Sequence, residues 1–186
     1  RPILASVLFT MEEDGLTCVG TDGYRLTISQ SSTIQTEAKR SVLLNAKACS
    51  EVLRTLQRYK PEKVLFAVSQ ELKQISFSVD ETVVLLRLTE GEFPPFRSII
   101  PPSFTMKAFI DRQELIHAVK TSLVFAKENS SIISVTISHG ACVVSASHSS
   151  VGENETILTS SYDGDESKVI SFNAKFLMDA LSHITT

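Results

Sequence analysis

A short row of cations is the first pattern in this sequence with chemical content: Lys47, Arg54 and Arg58, spaced by seven and four residues. At 3.6 residues per turn these spacings set all three on one helix face. There they could hold a run of phosphates by charge, without reading bases. Glu51 lies among them and partly offsets them through i, i+3 and i, i+4 contacts, and an ordinary solvated helix face carries the same pattern. A second group is Asp22-Gly23-Tyr24-Arg25-Leu26. Asp22-Gly23 between alternating residues predicts a two-residue hairpin turn of type I′, which needs positive φ at both central positions. That turn leaves Tyr24, Arg25 and Leu26 unexplained. A third group, Phe93, Phe96, Ile99 and Ile100, sits among prolines, where it could plug one domain against the next or line a groove with the hairpin.

Catalytic patterns are missing. The sequence holds no G-x-S-x-G elbow and no Walker or dinucleotide glycine motif. His117, His139, His148 and His183 are scattered without metal-ligand spacing. Asp22, Glu90 and Glu92 could serve acid–base chemistry, as in a hydrolase, but polar turns account for them equally well. The expectation is a chain with no catalytic residues, no cofactor and no metal. A generic repeat-built interaction module stands as the other alternative.

The elements that position these groups form a repeat. Four of the six prolines fall between Pro94 and Pro102, and paired prolines resist both helix and central strand. They divide the 186 residues into parts 1–102 and 103–186. In front, "SVLLNAKACSEVLRTL" reads as a strand, an Asn45-Ala46-Lys47 start and a helix with Cys49, Val52, Leu53 and Leu56 on one apolar face. In back, "KVISFNAKFLMDALSHI" repeats this 128 residues later, with Phe176, Leu177, Ala180, Leu181 and Ile184 as the apolar set. Gly15 and Gly140 mark turns offset by 125 residues, so two unrelated elements share nearly one offset. The back part opens with a helix, "DRQELIHAVKTSLVFA", started by Asp111 and Glu114. The front part continues into "KVLFAVSQ", "LKQISFSVD" and "TVVLLRLTE", whose alternation predicts half-buried antiparallel strands. Each copy shows what the other lacks, so the expected natural chain extends in both directions. The fold class is α+β, in at least two copies.

The net charge of −3 gives no global basic field. Three dispersed cysteines suit a reducing compartment, and no apolar run approaches the ~20 residues of a membrane span. A cytoplasmic protein is the expectation.

Three segments, "RPILASVLF", "TDGYRL" and "GEFPPFRSIIP", occur in the order and at the spacing of signature segments of the bacterial DNA polymerase III beta subunit, the sliding clamp, and the chain resembles that family over essentially its whole length. The resemblance implies repeated clamp domains with antiparallel sheets outside and helices lining the inner face. It aligns 1–102 with most of the second domain and 103–186 with the first part of the third. It further implies a homodimeric ring around double-stranded DNA, a processivity factor without catalysis. Lys47, Arg54 and Arg87 correspond to DNA-facing positions, and Arg58 joins them by helical spacing. The same resemblance implies a hydrophobic site for short peptide motifs of the polymerase III catalytic subunit, the clamp loader and other partners. Its matching positions are Leu4, Thr21, Gly23, Tyr24, Arg25, Leu26, Pro94, Ser98 and Ile99. Tyr24 stands where the family more often has His, and Ser98 where it often has a basic residue. The family completes this site with a C-terminal segment that aligns beyond Thr186.

Overall fold

The computed structural model describes residues 2–13, 15–32, 39–127, 130–150, 152–164 and 166–184. The chain divides into two compact units, Arg1–Ile100 and Pro101–Thr186.

Unit 1 begins with a 3-10 turn at Pro2–Ala5 and strands β1 (Ser6–Glu12), β2 (Gly15–Thr21), β3 (Leu26–Ser31) and β4 (Arg40–Asn45). These pair antiparallel in the order β3-β2-β1-β4. Helix α1 (Ala46–Tyr59) follows directly. Asn45 caps it, its side chain accepting from the Lys47 N–H at 3.0 Å, which satisfies one of the donors a helix start leaves open. The helix stops at Lys60, which turns to φ 46° and donates its N–H to the Leu56 carbonyl at 2.8 Å, and Pro61 prevents continuation. A meander of β5 (Leu65–Ser69), β6 (Gln74–Val79) and β7 (Thr82–Arg87) makes a second sheet. A bridge between Leu44 and Leu88 ties β7's end to β4.

The core of unit 1 lies between these sheets and α1. Met11, Val42, Leu44, Val52, Ile75, Phe77 and Leu86 are buried together, with Ala48, Cys49 and Leu56 of α1 packed against them. Each such side chain contributes about 1.5–3 kcal/mol when fully buried. Ile75, Phe77 and Val79 are buried as their alternation predicts. The apolar face predicted for α1 is off by one position. Leu53 is 54% exposed, because Ala48, Cys49, Val52 and Leu56 already fill the stripe and Leu53 falls about 100° round from Val52.

Unit 2 contains β8 (Lys107–Ile110), α2 (Arg112–Ala126), β9 (Ile132–Ser138), β10 (Ala141–His148), β11 (Gly152–Asp163), β12 (Lys168–Asn173) and α3 (Ala174–His183). Its sheet runs β12-β9-β10-β11-β8. Read in reverse, β11-β10-β9-β12 reproduces β3-β2-β1-β4 of unit 1, so the duplication is carried by the strand order itself. Asn173 caps α3 as Asn45 caps α1, accepting from Lys175 and Phe176 N–H. Asp111 caps α2, accepting from the Glu114 N–H at 2.9 Å. The stripe predicted for α3 also shifts. Ala180 is exposed and Ile184 lies past the helix end, while Ala174, Leu177, Met178 and Leu181 reach the core.

Candidate functional site

The residues that the resemblance groups as a peptide site lie on three segments of unit 1: Leu4 in the opening turn, Thr21 to Leu26 at the β2–β3 connection, and Pro94, Ser98 and Ile99 after β7. In register, Leu8 pairs with Val19 and Leu43, Val19 with Ile28, and Thr21 with Leu26. Paired residues share a face and alternate residues return to it. Leu8, Val19, Thr21, Leu26, Ile28 and Leu43 therefore stand together, opposite Phe9, Met11 and Val42. Val19 is fully buried and Leu43 nearly so. The opening turn, which carries Leu4, packs on β1, β2 and β4. The connector after β7 starts along the edge of β4, with Thr89 N–H donating to the Leu43 carbonyl at 2.8 Å. There Gly91, at φ 130°, lies so near Ile3 that a Cβ would come within 2.8 Å of its Cδ1.

The two-residue turn expected at Asp22-Gly23 is not formed. Thr21 pairs with Leu26, so Asp22, Gly23, Tyr24 and Arg25 make a four-residue loop. Among the described residues of this loop only Gly23 has positive φ, at 92°. Side chains stabilise the wider loop in place of the type I′ geometry. Asp22 Oδ1 accepts from the N–H groups of Tyr24 at 3.0 Å and Arg25 at 3.1 Å. Arg25 Nε donates to Asp22 Oδ2 at 2.8 Å. Thr21 Oγ1 accepts from Gly23 N–H and donates to the Arg25 carbonyl. The Tyr24 N–H, then the Arg25 side chain, hold the Asp22 carboxyl below its ordinary range. Tyr24, held by this frame, is 86% exposed.

Pro94, Ser98 and Ile99 belong to the connector and are organised by its own contacts. Phe96 N–H donates to the Pro94 carbonyl at 2.7 Å, opening a 3-10 turn at Phe96–Ile99. Phe93 and Phe96 meet edge to face, 6.3 Å between centroids. The Ser98 hydroxyl donates to the Pro95 carbonyl at 2.7 Å, and Ile99 is 67% exposed. Lys39, and to a smaller degree Arg97, holds the Glu12 carboxyl below its ordinary range. The loop thus stands at one end of this sheet face, and the connector leaves β7 beside β4 and meets the opening turn at Ile3. Leu8, Val19, Ile28 and Leu43, which lie on this face of β1 to β4, are missed by the sequence reading, because their grouping depends on the register between strands.

The cationic row is present on α1. Lys47, Arg54 and Arg58 are exposed on the side away from the core. Arg54 Nη1 donates to both oxygens of Glu51, at 2.8 and 3.1 Å, and the Arg58 guanidinium lies 5.6 Å from the Tyr59 ring centroid. Arg87 does not join them. Leu86 points into the core, so Arg87 points to the other face of β5–β7, beside exposed Val83 and Leu85. The period of two along β7 separates it from α1.

Of the carboxylates considered for acid–base work, Asp22 is held by its loop and Glu90 by Lys73. Both are lowered, Glu90 chiefly by that hydrogen bond, the wrong direction for a proton donor near neutrality. The thiols move away from reactivity: burial, then Cys49, pushes Cys18 up to about 11. Among the described residues no group of three His, Cys, Asp or Glu is disposed around a metal, and no helix is long and apolar enough to cross a membrane. Recesses of about 560 and 440 Å³ lie in unit 2, the larger lined by Ser134, Ser145, Ser147, Glu153 and Glu155. Neither touches the sheet face described above.

Two α+β units sharing one strand order, the first with a covered outer sheet face, define a protein of repeated clamp-type domains. The chain belongs to the DNA polymerase III beta subunit family: residues 1–95 match its central domain and 97–186 its C-terminal domain. It is 29% identical over 187 residues to the beta sliding clamp of Staphylococcus aureus, covering 99% of this chain and 48% of that protein. With the Chlamydia muridarum beta sliding clamp it shares 28% over 184 residues, 98% and 49% of the two chains. The crystal structure of the DNA polymerase III beta subunit of Thermotoga maritima superposes with a TM-score of 0.92 at 27% identity, over 100% of this chain and 49% of that one. The Pseudomonas aeruginosa sliding clamp gives 0.91 at 25%, over 100% and 50%. The chain spans about half the length of the curated relatives it matches.

Proposed function

We propose that this chain works as part of a replication sliding clamp: a cytoplasmic homodimeric ring that encircles duplex DNA and tethers the DNA polymerase III catalytic subunit. The clamp loader and other motif-bearing partners use the same peptide site. The observation that carries this reading is the match of both units, end to end, to consecutive domains of one family. Residues 1–102 act as the central domain and 103–186 as the beginning of the C-terminal one.

The physics agrees. A processivity factor must hold DNA without gripping a sequence, and a few exposed cations on a helix face do so through phosphate charge alone. In this reading Lys47, Arg54 and Arg58 face DNA, and Arg87, which the resemblance groups with them, lies on the face of its sheet opposite Leu86. The peptide site combines apolar floor and walls (Leu4, Leu26, Pro94, Ile99) with the polar frame of Thr21, Gly23, Arg25 and Ser98, the mixture a short motif needs for burial and orientation. Tyr24 supplies an aromatic lid. The chain needs no catalytic group, because its work is retention. In the full-length protein, Lys47→Glu with Arg54→Glu should shorten retention on circular DNA and flatten its salt dependence. Retention and salt slope equal to wild type would refute a DNA role for α1.

A further inference from the structure

We infer that Glu51 is a built-in brake on phosphate binding by α1, an inference that rests on the DNA-facing reading of this helix. Glu51 stands in the middle of the cationic row, four residues after Lys47, three before Arg54 and seven before Arg58. Those spacings place it on their face rather than beside it. Arg54 is the central cation, and the same Nη1 donates to both Glu51 oxygens, at 2.8 and 3.1 Å.

The pair is out in solvent, with side-chain exposures of 72% for Arg54 and 59% for Glu51. An exposed i, i+3 pair adds little to helix stability, so stability alone is a weak reason for it. Its effect on an incoming phosphate is larger. A phosphate approaching Arg54 meets a guanidinium already engaged and a carboxylate of its own sign within the same turn. The row then offers the charges of Lys47 and Arg58, with Arg54 held in reserve. For a ring that must stay on DNA yet move along it, a weakened central contact limits friction while the outer cations keep the helix near the backbone.

The test is equilibrium binding of the full-length protein to a fluorescent duplex across a salt series, comparing wild type, Glu51→Gln, Lys47→Glu with Arg54→Glu, and Glu51→Gln with Arg54→Gln. Releasing one guanidinium adds about one phosphate contact for each copy of α1, which steepens the slope of log K against log salt by about 0.9 per copy. That corresponds to roughly five- to tenfold tighter binding per copy at 0.1 M salt, fading toward 1 M. The gain should disappear when Arg54→Gln is added. If Lys47→Glu with Arg54→Glu weakens binding but Glu51→Gln leaves affinity and slope unchanged, α1 faces DNA and the brake is refuted. If neither variant changes binding, the DNA-facing reading fails and the brake with it. Glutamine keeps the size and helix preference of Glu51, so circular dichroism should show an unaltered fold.

Discussion

Replacing Asp22 with alanine tests whether the four-residue loop is a working part of the peptide site. The carboxylate accepts three hydrogen bonds, from Tyr24 N–H, Arg25 N–H and Arg25 Nε. Each is exposed, so the donors return to water when the acceptor is removed, and each bond contributes only about 0.3–0.7 kcal/mol net. Together they hold the loop by about 1–2 kcal/mol, which converts to a loss of roughly 5- to 30-fold in affinity if the bound state needs the loop ordered. The assay is fluorescence anisotropy of a labelled clamp-binding peptide of the polymerase III catalytic subunit with the full-length protein, beside amide exchange at residues 23–25. Asp22→Asn keeps an oxygen for the two backbone donors and loses the ion pair, so its effect should be smaller. The carboxyl is depressed in the folded chain, so its contribution is complete above the ordinary Asp pKa and disappears as pH falls through the lowered value. Wild-type binding should accordingly hold from pH 7 to about 4 with respect to this group. Faster exchange at 23–25 in Asp22→Ala with unchanged peptide affinity would refute the reasoning, because the loop would be ordered for no purpose of the site.

Two further expectations concern other parts of the chain. Leu26→Ala and Tyr24→Ala should each weaken the same peptide in anisotropy while leaving the thermal unfolding curve nearly unchanged, since Tyr24 is exposed and Leu26 lies at the end of an edge strand. The paired caps should differ: Asn45→Ala removes one accepted bond and costs about 1 kcal/mol. Asn173→Ala removes two and also a bond donated to the Ser130 carbonyl, so it should cost up to about 2 kcal/mol in urea titration.

Much of the scaffold is legible in the sequence because periodicity and capping are local. The helix starts after Asn45 and Asn173, the Asp111 cap and the alternation of Ile75, Phe77 and Val79 depend on neighbours in sequence, and all appear as read. Leu53 and Ala180 escape such a reading, because their exposure depends on which stripe the opposing sheet accepts. Asp22-Gly23 fails for a related reason. The dipeptide favours a tight turn, yet Thr21 and Asp22 carry oxygens that satisfy a longer loop, and the pairing of Thr21 with Leu26 decides between them. Resemblance groups Arg87 with α1, while the alternation on β7 sets it on the other face. The face made by Leu8, Val19, Ile28 and Leu43 is hidden in the sequence because it is shared by four strands and comes together only once their register is known.

The duplication separates what the scaffold requires from what the site adds. In unit 2 the corresponding connection joins β10 to β11, with His148 opposite Gly152, and its Ser150 N–H is held by His148 Nδ1 rather than by a carboxylate. The same strand order therefore accepts a different loop and a different internal acceptor. In unit 1, Asp22, Gly23 and part of Arg25 are occupied in closing their own loop, so these residues have a local cause. Leu26 continues the apolar face of β3 beside Ile28 and also has one. Tyr24 stands 86% exposed at the end of an apolar face, and the other copy has no aromatic ring at the corresponding connection. Apolar ring surface left in water forgoes about 25 cal/mol for each Å² that could be covered. In the proposed clamp a peptide lying along Leu4 and Leu26 would cover that ring, so Tyr24→Ala is the variant of the triplet that tests the site with least disturbance of the sheet.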